Sequence, residues 1–253
     1  MSTISVSVEG GVARLVLSHP PLNILTRAVL AELRRELAGL AVDLSLRAAV
    51  LTADGEHFSA GADVQEHLPP HHAVLIREFL DTVEALDAFP VPIIAGVRGQ
   101  CLGGGFELVQ AVDLVVAGEN ATFGQPEIRL GVIAPAACVL LPMKIPEAWA
   151  RQLVYTADFM TARDAERAGL VARVVPDGEM EAATLELAGR IARHSAAALR
   201  LAKRALRGAA AEARAAALRR AGELYIDEVM KTADALEGLR SFVEKRRPAW
   251  SHR

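Results

Sequence analysis

Cysteine is nearly absent: Cys101 and Cys138 are the only two in 253 residues. Two separated cysteines in apolar surroundings supply neither a disulfide framework nor a thiolate metal pair, so both are expected as small core residues. Aromatic residues are scarce at 4%, which argues against the stacking platforms used to bind single-stranded nucleic acid. Neither sign of charge dominates, and a net charge of −3 gives no basic field for a phosphate backbone. No apolar run reaches the roughly 18–20 uncharged residues that span a bilayer. The N-terminus opens at once on ISVSVEGGVARLVL, with no basic start, apolar stretch or Arg/Ser-rich leader. A cytoplasmic protein is expected. With 52% hydrophobic and 23% charged residues, the chain is globular and long enough for one large domain or a domain with a small appendage.

What is present alternates strand and helix signals. Ile4, Val6 and Val8 alternate with polar residues, and Gly10-Gly11 offers a hairpin turn into VARLVL. Pro20-Pro21 breaks the pattern. Leu30, Leu33, Leu37 and Leu40 predict a helix from about Thr26 to Ala41, and Arg47–Ala53 reads as a buried strand. A second helix is expected over His72–Ala88, with Val74, Ile76, Phe79, Leu80, Val83 and Leu86 on its apolar face. The strand PIIAGVRG, a helix from Glu107, the strand DLVVAG and a helix from Pro146 follow. Thr161 caps a further helix that Gly169 closes. From Glu181 to Val243 only helix is expected. Short strands crossing over through helices, then a helical tail, predict an α/β fold with a ββα spiral core.

The chemistry concentrates between Gly99 and Gly131. LGGGFE (Leu102–Glu107) lets backbone N–H groups approach a ligand without a Cβ in the way. It lacks the Lys-Ser/Thr of a P-loop, and a tight strand-to-helix crossing is the plain alternative. A second small-residue loop, FSAGAD (Phe58–Asp63), also follows a buried strand. One N–H from each loop is the minimum for an oxyanion hole. Glu107 and Glu127, brought to such a site, would share acid and base work. His67, His71 and His72 lie near Pro69-Pro70, but no Cys or carboxylate spacing there resembles a zinc site. They are expected at the surface or in a pocket lining, with no metal.

FSAGADV, then LGGGFEL, then FGQPEIRLG, in this order and at these separations, resemble the crotonase (enoyl-CoA hydratase/isomerase) superfamily. PPLNIL, PVPIIAGVRG, TARDAERAGLV and FVEKRRPAW extend the resemblance along nearly the whole chain. It implies a crotonase-like spiral core over residues 1–190 and a C-terminal helical trimerisation region over 191–253. It implies backbone amides of Ala62 and Gly104 as the oxyanion hole, with Glu107 activating a water and Glu127 delivering a proton beside the carbonyl. CoA would lie along Ala60, Asp63, Val64 and Gln65, with Phe242 and Lys245 reaching adenine or phosphate. A solvated basic helix end accounts for Lys245 equally well. No cofactor is implied, because coenzyme A is part of the acyl-CoA substrate. The assembly implied is a homotrimer or a dimer of trimers.

Many relatives continue after the second glutamate with a glycine-rich stretch; here it is VIAPAACVLLP, Val132–Pro142. Pro135 should make this acyl-pocket wall stiffer and more apolar. With PPLNIL and VQEH, this version is similar to that of hydratases acting on cyclohexa-1,5-diene-1-carbonyl-CoA. The leading expectation is therefore a hydro-lyase adding water to an α,β-unsaturated acyl-CoA, a cyclic dienoyl-CoA among the candidates. Enoyl-CoA isomerase, or another thioester enzyme of the fold, is the alternative within the family. RNA binding is the alternative outside catalysis: Lys203, Arg204, Arg207, Arg214, Arg219 and Arg220 crowd Leu201–Arg220 beside a single acid, Glu212.

Overall fold

The computed structural model describes residues 2–208 and 210–253. β1 (Ile4–Glu9) and β2 (Val12–Leu17) form an antiparallel hairpin. Gly10 and Gly11 both take positive φ, +55° and +77°, as a two-residue turn matching the strand twist requires. β1 is the sheet edge and is covered only at Ile4; Val6 and Val8 are exposed. α1 (Arg27–Ala41) starts at Thr26, whose hydroxyl accepts from Val29 N–H, and buries the four predicted leucines. β3 (Ala48–Ala53) is buried at every position, as a strand covered on both faces must be. α2 (His72–Asp87) buries Leu75, Ile76, Phe79, Val83 and Leu86. Val74, expected on that face, is exposed because Leu75, one turn before Phe79, occupies the centre of the stripe.

β4 (Ile93–Val97), β5 (Gln100–Leu102), α3 (Gly104–Gln110), β6 (Leu114–Gly118) and β7 (Thr122–Gly124) carry the glycine-rich motif and its surroundings. α4 (Pro135–Lys144), α5 (Glu147–Thr156), β8 (Phe159–Thr161), α6 (Ala162–Arg167) and β9 (Arg173–Val175) follow. The main sheet runs β1-β2-β3-β4-β6-β9 and is parallel from β2 onward; β5, β7 and β8 make a small second sheet. Alternate residues of the central strands feed two cores. Val50, Ile94 and Val116 meet Met180 and Ala183 of α7 (Met180–Ile191), while Leu51, Ile93 and Val115 enter the larger core.

α8 (Ala196–Arg207), α9 (Ala210–Asp227) and α10 (Ala233–Val243) complete the chain, and α9 packs against α2 and α4. The basic stretch is partly consumed in fastening this region down. Buried Lys203 donates to Asp113 Oδ2 at 2.5 Å and Val91 O at 3.1 Å, and Arg207 and Arg214 share Asp87 at 2.7 and 3.2 Å. Three of the six cations thus serve internal ion pairs, which removes half of the charge a phosphate-binding face would use. Cys101 is buried as expected, but Cys138 is exposed. It lies on α4, a helix the glycine-poor motif did not announce, where helical spacing turns Ala137, Leu140 and Leu141 inward and Cys138 out. Among the described residues no helix is long and apolar enough to cross a membrane.

Candidate active site

The segment containing Pro20-Pro21 braces the loop after β3. Asn23 Nδ2 donates to Asp54 O and His57 O at 2.8 Å each, and Ser59 Oγ donates to Asn23 O at 2.7 Å. Leu25 N–H donates to Gly61 O at 2.9 Å and Asp63 N–H to Leu25 O at 3.1 Å. Fixed on both sides, the loop leaves Ala62 N–H without a backbone acceptor among the described residues. Gly104 N–H, the first of α3, is equally free, as first-turn amides are. The two lie side by side: a Cβ on Gly104 would stand 3.3 Å from Ala62 N and 3.0 Å from the Phe79 ring. The expected oxyanion pair is therefore brought together.

Gly103 explains the first position of the triple glycine. Its φ of +51° and ψ of −130° are closed to side-chain-bearing residues, and a Cβ there would lie 2.7 Å from Glu127 Oε1. The Glu127 carboxylate thus sits directly against the turn that presents Gly104. With the Gln125 amide oriented to satisfy its neighbours, its nitrogen donates to Glu127 Oε1 and Oε2 at 3.2 and 3.0 Å. Its oxygen accepts from Gln110 Nε2 at 2.8 Å.

Glu107 lies inside α3 and is 3% exposed. Its Oε1 accepts from the N–H groups of Ala136 and Ala137 at 2.8 and 2.9 Å, the first turn of α4. Pro135 stands at the helix start, where its missing N–H costs no internal bond. The pair of amides behind it was not foreseen from sequence, although proline after an apolar loop is itself a helix-start signal.

Burial raises the Glu107 pKa to about 7, opposed by the Ala137 and Ala136 amides. Burial, and then the charge of Glu107, push Glu127 well above the usual carboxylate range. Glu107 accepts from two helix-end amides and Glu127 from the Gln125 side chain, so of the two carboxyls Glu127 holds a proton the more tightly.

Both glutamates, Ala62 and Gly104 line one cavity of about 320 Å³. Its apolar wall comes from Leu75, Ile76 and Phe79 of α2 and from Val132, Ile133 and Pro135. Of the expected CoA residues, Ala60, Val64 and Phe242 line the cavity. Asp63, Gln65 and Lys245 stand outside the lining; Asp63 Oδ1 accepts from Gln65 N–H at 2.7 Å. His67 lines it too, while His71 and His72 do not. Among the described residues no group of three or more His, Cys, Asp or Glu is arranged to hold a metal ion.

The chain matches the family described as Enoyl-CoA hydratase/isomerase over residues 7–253. It is 40% identical over 245 residues to the cyclohexa-1,5-dienecarbonyl-CoA hydratase of Thauera aromatica, covering 97% of this chain and 95% of that protein. It is 38% identical over 256 residues to the 2,3-dehydroadipyl-CoA hydratase of Escherichia coli (strain K12), with full coverage of both, 100% and 100%. The solved enoyl-CoA hydratase/isomerase from Pseudoalteromonas atlantica T6c superposes with a TM-score of 0.90 at 30% identity, covering 99% of this chain and 100% of that one. With a match over residues 7–253 and near-complete similarity to named hydratases, the chain belongs to the enoyl-CoA hydratase/isomerase family.

Proposed function

We propose that the protein adds water reversibly across the conjugated double bond of an acyl-CoA thioester, with Glu107 and Glu127 as the acid–base pair. Family membership makes it a hydro-lyase of CoA thioesters; the assignment of residues rests on the cavity. The observation that carries it is the meeting of two unengaged amides, Ala62 and Gly104, with a buried and a half-buried carboxylate in different hydrogen-bonding surroundings.

The thioester carbonyl would accept from both amides. As water attacks the β-carbon, charge moves onto that oxygen as an enolate forms, and the fixed donors stabilise it without reorganising. Glu107, ionised, takes a proton from the water; Glu127, protonated, gives its proton to the α-carbon. The Glu107 carboxyl then holds the proton taken from water, so one transfer between the two carboxyls restores the starting state. Ala60, Asp63, Val64 and Gln65 are assigned to the CoA arm, with Phe242 and Lys245 at its adenine end. The stiff wall at Val132, Ile133 and Pro135 suits a compact acyl group, and a cyclic dienoyl thioester is the substrate proposed first.

The test is hydration of crotonyl-CoA, a branched enoyl-CoA and cyclohexa-1,5-diene-1-carbonyl-CoA, followed by mass and retention between pH 5 and 9. The cyclic diene is expected to give the highest kcat/KM; preference for crotonyl-CoA removes the ring and keeps the chemistry. The kcat/KM profile should fall below about pH 7, as Glu107 takes a proton, and fall again at higher pH as Glu127 loses one. A flat profile refutes the shared-proton assignment.

A further inference from the structure

His67 is the one histidine in the cavity lining, and the acid–base chemistry does not use it. Its Nδ1 lies 2.7 Å from Asp63 O. A carbonyl oxygen can only accept, so Nδ1 carries the proton and Nε2 of the neutral ring is a bare lone pair. Burial holds the imidazole pKa below its ordinary value, which keeps that neutral form. The nearby α2 wall of Leu75, Ile76 and Phe79 offers Nε2 no partner.

Behind this corner stands Tyr225 of α9, its ring centroid 6.1 Å from that of His67. The Tyr225 side chain is 1% exposed and its hydroxyl has no hydrogen-bond partner among the described residues. A buried phenol without a partner is a standing cost that phenylalanine would avoid. A bare ring nitrogen in the lining of the cavity, with the Tyr225 ring packed behind it, marks a place for a polar occupant.

We infer that His67 Nε2, with Tyr225 as the positioning residue behind it, forms a subsite that selects acyl groups carrying a hydroxyl. This rests on the acyl-CoA reading above. A hydroxyl donates to Nε2, where an apolar chain leaves the lone pair unpaired. A carboxylate, which has only acceptors, meets it unfavourably.

The experiment compares hex-2-enoyl-CoA with its 5-hydroxy and 6-hydroxy derivatives and with the 6-carboxylate, 2,3-dehydroadipyl-CoA. The readout is the ratio of kcat/KM for the better hydroxylated thioester to that for the unsubstituted one. A ratio of about ten is expected for the wild type, of the size one buried hydrogen bond commands. His67→Leu should bring it near one, His67→Gln should retain much of it because the amide oxygen accepts, and Tyr225→Leu, which removes the ring packed behind His67, should lower it in part. A wild-type ratio near one, or a ratio that survives His67→Leu, overturns the subsite. Preference for the carboxylate, lost in His67→Leu, overturns the neutral-imidazole form of it. If no thioester gains water, the acid–base assignment fails instead. The subsite is then read from calorimetric binding of hexanoyl-CoA against 5-hydroxyhexanoyl- and 6-hydroxyhexanoyl-CoA, with the same expected ratio and the same loss in His67→Leu.

Discussion

Glu127→Gln should lower kcat for water addition by about 10²–10⁴ while leaving the protein more stable at pH 8 than the wild type. The rate loss is that of a positioned proton donor. Glutamine has the shape of the protonated acid and keeps an acceptor for Gln125, but has no proton to give. The stability gain follows from burial. Glu127 has a folded pKa raised well above its ordinary value, first by desolvation and then by Glu107. Such a group binds its proton more tightly in the folded state. Its contribution to stability is therefore full below the unfolded pKa and is lost as pH rises through the folded one. Glu107, raised to about 7, adds a loss of the same sign. The wild-type Tm should thus decline between about pH 5 and 8, and the variant should decline less. Calorimetric scans at both pH values, beside the turnover assay, read both effects. Equal pH slopes in the two proteins would sink the electrostatic argument, and undiminished kcat would sink the catalytic one.

Gly103→Ala is the second large effect. The alanine Cβ would need space 2.7 Å from Glu127 Oε1, in a backbone conformation with φ +51° that glycine alone takes easily. Either Glu127 retreats from the cavity or the turn relaxes and carries the Gly104 amide with it. Misplacing an oxyanion donor or a proton donor by about an ångström costs on the order of 10² in rate. Backbone strain adds about 1–3 kcal/mol of destabilisation. For a chain of this size that is a Tm loss on the order of 2–10 °C. Gly189→Ala is the control: its Cβ meets nothing within 4 Å in the last turn of α7, so kcat should stay and the helix should gain up to about 1 kcal/mol. A Gly103→Ala enzyme with wild-type kcat would show that the close approach of Glu127 to the turn is not needed for catalysis.

The elements that local patterns announce are those whose burial follows one period. The leucine stripe of α1, the continuously buried β3, the Thr161 cap of α6 and the twin glycines of the first hairpin are all visible in sequence. The glycine loops and both glutamates stand out for the same reason, since small residues beside lone carboxylates in apolar runs have few structural uses. Where the pattern misled, coverage decided. Val6 and Val8 alternate correctly but lie on an edge strand that nothing covers, and Val74 flanks a stripe centred on Leu75.

Amino-acid order by itself determined the alternation of strands and helices and the family, and it singled out the two glutamates proposed as the acid–base pair. Tertiary structure alone decided how those groups differ. The α4 amides of Ala136 and Ala137 reach Glu107 from 29 and 30 residues away. Gln125 and Gly103 frame Glu127, Asn23 holds the Ala62 loop, and Tyr225 comes from the far C-terminal region to back His67. A side chain's type is local, but its proton affinity is set by desolvation and by donors within a few ångströms, and only folding determines which donors those are.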